Sequence, residues 1–187
     1  MSGMLDELDL KIIRKLQIDG RASVTELAEA VGSSRPTVTS RLNRLLDNKT
    51  VIIRSGLDLR RFGYKVAHVG LEVRTDKTRK EVETFLRNCP RVLNVFRTSE
   101  KANLLLSVWG EDDQTINSTV ESFGDQRNVS VVYAHYLGTP IHGDVIVNVE
   151  ARKSDETPCG AKCGECHRYQ NAWCRGCPSS SDYKTTL

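Results

Sequence analysis

Residues 23–46 read SVTELAEAVGSSRPTVTSRLNRLL, and their pattern organises the rest of the chain. Ser23 followed three residues later by Glu26 is a capping box, in which hydroxyl and carboxylate each serve the other's backbone N–H. Leu27, Ala28 and Val31 then lay an apolar stripe at helical spacing. Gly32 ends that helix, because only glycine enters a left-handed turn without steric cost. Ser33 or Ser34 caps the next helix, and Pro36 falls in its first turn, where a missing N–H costs nothing. Val38, Leu42 and Leu45 face inward at i, i+4, i+7. Thr37, Ser40 and Arg44 then point outward, with Arg35 and Arg41 on the flanks. Such a helix suits the major groove of duplex DNA: arginine takes guanine edges bidentately, and short hydroxyls reach phosphates or bases. An ordinary αα-hairpin with a solvated polar face is the alternative, and the tight turn combined with the basic face favours DNA. The expected contact set is Ser34, Arg35, Thr37, Ser40, Arg41 and Arg44, joined by Arg54 further on.

Composition narrows the setting. The chain of 187 residues has room for one or two domains. No apolar run is long enough for a membrane span. The start, MSGMLDELDL, is acidic where a signal peptide is basic, so a cytoplasmic location is expected. The net charge of +3 is unevenly placed. Residues 35–61 carry seven Arg or Lys against Asp47 and Asp58, whereas residues 64–150 hold ten basic against twelve acidic side chains. A basic head on a mildly acidic body implies that only the head touches a polyanion.

Upstream, residues 6–18 read as a helix with Asp6 as N-cap, Asp9 three on, and Leu8, Ile12, Ile13 and Leu16 on one side. It packs behind the two-helix unit, which alone buries too little to fold. Downstream, in DNKTVIIRSGLDLRRFGY (47–64), the β-branched run Val51–Ile53 reads as a short strand or wing. Arg54, Arg60 and Arg61 there either contact phosphates or belong to a solvated linker. From Tyr64 the period becomes two. In KVAHVGLEVRT, Ala67, Val69, Leu71 and Val73 form one apolar face. Asp76 is expected to cap a helix carrying Val82, Phe85 and Leu86, closed by Cys89-Pro90. VLNVFRT (92–98) and NLLLSVW (103–109) read as strands. Asp112 or Asp113 caps a helix with Ile116, Val120 and Phe123, and VSVVYAHYLG (129–138) and DVIVNVE (144–150) close the set. The order β-α-β-β-α-β is the split-βαβ, ferredoxin-like unit with one strand left over. That surplus strand, exposing Val145 and Val147, is expected to pair with a second chain.

Taken together, LDELDLKIIRKLQIDGR, the 23–46 unit, RRFGY (60–64) and NLLLSVW resemble the Lrp/AsnC family, the leucine-responsive or feast/famine regulators of transcription. The resemblance runs from about Leu5 to Glu150. It implies a winged helix-turn-helix head on a ferredoxin-like effector and dimerisation domain, homodimers that assemble further to octamers, and a small-molecule effector, frequently an amino acid. Family members that bind amino acids usually carry Gly-x-Tyr-Asp-Leu-Leu-Leu before this strand. Here Glu100 replaces the glycine and Asn103 the aspartate, which removes a charge that an α-amino group could pair with. Glu100 and Asn103 are therefore the candidate residues of an effector loop that departs from the family pattern.

After the polar linker ARKSDETP (151–158) comes CGAKCGECHRYQNAWCRGCPSSSDYKTTL. Cys159, Cys163, Cys166, Cys174 and Cys177 follow the spacing C-x3-C-x2-C-x7-C-x2-C. Two C-x2-C pairs each put two thiolates on one tight turn, the spacing of a soft-metal site. The segment has few large apolar groups, so metal binding is expected to supply the missing folding free energy, on the order of 10 kcal/mol for structural zinc. Disulfides fit poorly with a cytoplasmic chain and an odd count. Zinc on four thiolates is the default; five thiolates with His167 also admit Cu(I), and four admit an iron–sulfur cluster. Cys89 is expected as a small core residue.

The resulting expectation is an α+β chain. Residues 1–50 form the helix-turn-helix domain, 51–63 a wing or hinge, 64–150 the ferredoxin-like domain, 151–158 a linker and 159–187 a metal-stabilised tail. It would act as a sequence-specific, homodimeric DNA-binding regulator whose affinity is tuned by metal or redox state at the tail. Two rivals stay open: an iron–sulfur electron-transfer protein with a docking head, and a regulator that answers to an amino acid and carries a purely structural zinc. No nucleophile–base pair or phosphate-cradling glycine loop points to an enzyme.

Overall fold

Three polar side chains start the three helices of the N-terminal unit. Asp6 and Ser23 each form a full capping box, with Asp9 and Glu26, and the Ser34 hydroxyl accepts the N–H of Thr37. They open α1 (Glu7–Ile18), α2 (Val24–Val31) and α3 (Arg35–Asp47). Gly32 closes α2 at φ 66°. The computed structural model describes residues 5–138, 140–150 and 154–184. Residues 1–4 of the acidic N-terminus, the first three of the 151–158 linker and the last three of the tail lie outside the described residues. The chain divides into two units, Met1–Arg54 and Ser55–Leu187.

In the first unit the three stripes close on one core: Ile12 and Leu16 from α1, Leu27 and Ala28 from α2, Val38 and Leu45 from α3. Each buried Leu, Ile or Val contributes about 1.5–3 kcal/mol, which decides the fold, because helices this short are marginal on propensity alone. The strand or wing expected at Val51–Ile53 does not form. Val51 leans on the helical core while Ile52 and Ile53 are exposed. β-Branched residues favour a strand only where a neighbouring strand is there to pack and pair with, and among the described residues none pairs with this run.

The second unit runs β1 (Leu57–Asp58), a 3-10 turn (Leu59–Phe62), β2 (Lys65–Val73), α4 (Asp76–Asn88), β3 (Val92–Arg97), β4 (Leu104–Gly110), α5 (Asp113–Gly124), β5 (Val129–Leu137), β6 (Ile146–Val147) and α6 (His167–Gln170). The main sheet has the order β3-β4-β2-β5 with antiparallel neighbours throughout. This is the ferredoxin-like arrangement that the alternation predicts. Ala67, Val69, Leu71 and Val73 are at most 1% exposed and meet Leu104, Leu106 and Val108 of β4, with Val82 and Leu86 of α4 and Ile116 and Phe123 of α5 above them. Thr75, not Asp76, caps α4, its hydroxyl accepting the N–H of Thr78.

The surplus strand differs from expectation. Of residues 144–150 only Ile146–Val147 forms a strand, and it pairs with β1 of the same chain. Val147 is buried against Leu59, Val66 and Trp109, so its side chain packs within its own chain rather than standing exposed. A small satellite core takes the apolar face that the sequence pattern leaves unassigned.

The cysteine-rich segment lies on this unit. Arg168 is paired with Glu121 and Asp125, and Arg175 with Asp112. The Ser118 hydroxyl donates to the carbonyl of Trp173 at 2.7 Å, and Ser154 forms a parallel bridge with Ser180. Buried Arg91 donates to Glu111 and to the carbonyl of Gly176, while the Tyr183 hydroxyl donates to the same Glu111. Among the described residues no helix is long and apolar enough to cross a membrane.

Candidate functional site

The first site is the outer face of α3. Val38 and Leu45 are buried, whereas Ser34, Arg35, Thr37 and Ser40 are exposed on its N-terminal half. The Ser34 hydroxyl lies 2.8 Å from that of Thr37, so the pair that caps the helix also presents polar groups at its tip. Arg54 is exposed at the end of the unit. Arg41 and Arg44 are placed differently from the other expected contacts. Both donate to Asp9, whose side chain is 0% exposed, and Arg41 also donates to Asp6. Two arginines offered by the pattern thus carry a pairing task inside the domain, locking α3 against α1. Asp6 sits below the ordinary carboxylate range, chiefly because the Asp9 N–H donates to it and secondarily because of Arg41. The signal for this pairing was in the sequence, since Asp6 and Asp9 lie on the same turn of α1, but their partners are more than 30 residues away.

The effector-loop candidates lie in the turn after β3. Glu100 is exposed. Asn103 spends its amide on the end of β2: the Val73 N–H donates to its Oδ1 at 3.0 Å and its Nδ2 donates to the Val73 carbonyl at 2.9 Å. An asparagine serves both backbone groups at once; an aspartate has no donor for the second.

The second site is a cavity of about 150 Å³ between the C-terminal end of α4, α5 and the tail. Its lining includes all five expected ligands, Cys159, Cys163, Cys166, Cys174 and Cys177, and also Cys89 and Arg91. All six cysteines are free thiols. The Cys177 N–H donates to the Cys163 sulfur at 3.3 Å, and the Thr157 and Ser179 hydroxyls lie 3.0 and 3.1 Å from the sulfurs of Cys159 and Cys177. Burial pushes the Cys89 thiol up to about 12 and raises Cys174 and Cys177 as well; metal binding at such thiols proceeds with release of their protons. Among the described residues no three His, Cys, Asp or Glu side chains come close enough to hold one ion between them. Cys89, expected as a small core residue, is buried enough for its thiol to be raised and also lines the cavity. Nothing local in its sequence, a helix end before proline, signals that.

A three-helix head with a helix-turn-helix, joined to an antiparallel sheet backed by two helices, defines a DNA-binding regulator of the two-domain kind. Residues 5–46 match the model of the AsnC-type helix-turn-helix domain. The chain is 30% identical over 133 residues to the leucine-responsive regulatory protein of Rhizobium meliloti, covering 68% of this chain and 85% of that protein. It is 32% identical over 112 residues to the proline dehydrogenase transcriptional activator of Rhizobium radiobacter, covering 58% and 72%. Its fold is similar to that of a Neisseria meningitidis transcriptional regulator solved in complex with L-Met, with a TM-score of 0.67 at 22% identity over 78% of this chain and 97% of that one. The chain belongs to the Lrp/AsnC family of DNA-binding transcription regulators.

Proposed function

We propose that α3 enters the major groove of the operator and that its N-terminal half does the reading. Arg35 takes a base edge, and Ser34, Thr37 and Ser40 hold the helix to phosphates and bases. Arg54 adds a backbone contact. Arg41 and Arg44 act as positioning residues whose pairing with Asp9 fixes how far α3 stands out from the head. The observation that carries this reading is the segregation of α3 into a buried aliphatic side and an exposed side of hydroxyls with the Arg35 guanidinium.

The acting species in this proposal is a homodimer, assembling further to octamers. In support, β5 is an edge strand of the main sheet among the described residues and exposes Val132, Tyr136 and Leu137, apolar surface of the kind that a second copy covers. Twofold symmetry then sets the operator: two half-sites about one helical turn apart, or a multiple of it. Hydroxyl-radical footprinting on the chain's own promoter tests this. Protections phased by whole turns on one face of the duplex are expected, and an unphased or sequence-independent pattern contradicts the reading.

The signal belongs, in the same proposal, to the cysteine cavity, where metal or redox state tunes DNA affinity. An amino acid at the turn after β3 is disfavoured because Asn103 is already spent on Val73. Retardation of the promoter fragment with metal-loaded and chelator-treated protein tests the cavity reading: a shift in affinity supports tuning through the cavity, and equal affinities oppose it.

A further inference from the structure

Six thiols from two separate parts of the chain face a single cavity, Cys89 from the end of α4 and five from the tail. Yet no three of them close on one point among the described residues. Those two facts separate two kinds of thiolate centre. A mononuclear zinc site draws its sulfurs to about 2.3 Å from the metal, so tetrahedral thiolates stand roughly 3.8 Å apart and leave no space between them. A four-iron cluster takes one cysteine per iron, so its thiolates stand apart from one another with iron and sulfide between them. Thiols ranged around a void of about 150 Å³ match the second kind.

We propose that this cavity takes an iron–sulfur cluster shared between the tail and the sheet domain, with Cys89 supplying a ligand from α4. The inference rests on reading the tail as a metal site and narrows it to a polynuclear centre. Cys177 is followed directly by Pro178, the Cys-Pro step that ends ferredoxin-type cysteine runs, and Cys163 and Cys166 have the C-x2-C spacing found within them. The Cys177 N–H aimed at the Cys163 sulfur is the type of hydrogen bond that stabilises cluster-bound thiolate. Arg91, only 3% exposed, brings a cation to the wall of a site whose thiolates and sulfides carry net negative charge, although Glu111 shares it. Ligands drawn from both parts make the cluster a clamp that fastens the tail to α4, beside the ion pairs already holding it to α5.

The test uses the full-length chain reconstituted anaerobically with ferrous iron and sulfide, with zinc offered in a parallel sample. Iron, zinc and acid-labile sulfide per chain are measured, with visible absorption and the electron paramagnetic resonance of the dithionite-reduced sample. Iron and labile sulfide in near-equal amounts, with a brown colour, are expected. Cys89→Ser should lose most of the cluster or change its resonance spectrum, and the double variant Cys174→Ser/Cys177→Ser should lose it entirely, with helicity by circular dichroism confirming that each remains folded. A colourless chain that retains zinc and no labile sulfide overturns the cluster and leaves the metal reading standing. A chain that retains neither metal overturns both. Unchanged cluster content and spectrum in folded Cys89→Ser overturn the shared site. Should that variant not fold, pulsed alkylation of the wild type replaces it. Protection of Cys89 that disappears when a chelator strips the cluster supports ligation, and equal alkylation with and without cluster opposes it.

Discussion

Asp9 is the residue on which the head turns. It is buried at 0% exposure, whereas its partners Arg41 and Arg44 keep 30% and 47% of their side chains in solvent. The two sides of this pairing are therefore unequal. In Asp9→Asn the arginines rehydrate, and the loss should be about 1.5–3 kcal/mol, the scale of charge-assisted hydrogen bonds. In Arg41→Ala/Arg44→Ala the carboxylate stays behind without a cation, and the loss should reach about 3–5 kcal/mol. Urea unfolding of the three proteins checks the order, and a costlier Asp9→Asn refutes it. The capping carboxylates add a pH dependence. Glu26, held by the Ser23 N–H, and Asp6, held by the Asp9 N–H, both titrate below their ordinary values. A depressed carboxylate contributes stability that is fully present above its unfolded value and is lost as pH falls through its folded one. The melting temperature of the head should thus be flat above about pH 5 and drop below it. Asp6→Asn/Glu26→Gln should flatten that acid limb, and an unchanged limb would place the acid sensitivity elsewhere.

Elements formed where local chemistry and burial agree. The two capping boxes, Gly32 and the alternation of β2 could all be read from the sequence, because each signal and its consequence lie within a few residues. Val51–Ile53 and residues 144–150 could not, since a strand needs a partner whose identity is non-local: the first run found none and the second kept only Ile146 and Val147 for β1. Gly56 shows how tightly that small pairing is built. A Cβ there would stand 2.4 Å from the Ile146 side chain and 2.5 Å from the carbonyl oxygen of Val147, and backbone cannot yield as a side-chain tip can. Gly56→Ala should therefore break β1 from β6 and leave the main sheet intact. Hydrogen exchange would show lost protection at Leu57–Asp58 and Ile146–Val147 with β2 and β4 unchanged. Full protection at Val147 in the variant would mean that the strand pairs by another route.

At the scale of the molecule, the tail is where sequence reading ran shortest. Its cysteines have the spacing expected of a metal site, but the groups that seat it, Arg91, Glu111, Asp112, Ser118 and Glu121, are scattered over α5 and the ends of strands and look like solvent-facing polar residues until folded. Arg91 is the residue to remove. Arg91→Ala leaves Glu111, 1% exposed, without its cation and strips the Gly176 carbonyl of its donor. A loss of about 3–5 kcal/mol, with faster proteolysis within residues 154–184 than elsewhere, is expected; uniform proteolysis would show that the tail is held by other means. The head answers to a different measurement, the one on which the regulator account rests: fluorescence anisotropy of the operator duplex titrated with wild type, Arg35→Ala and Arg54→Ala across a salt series. Arg35→Ala should lose about tenfold or more in affinity for operator and little for unrelated DNA. Arg54→Ala should weaken both alike and lower the salt slope by about one. Wild-type affinity and discrimination in Arg35→Ala would contradict the assignment of α3 as the reading helix.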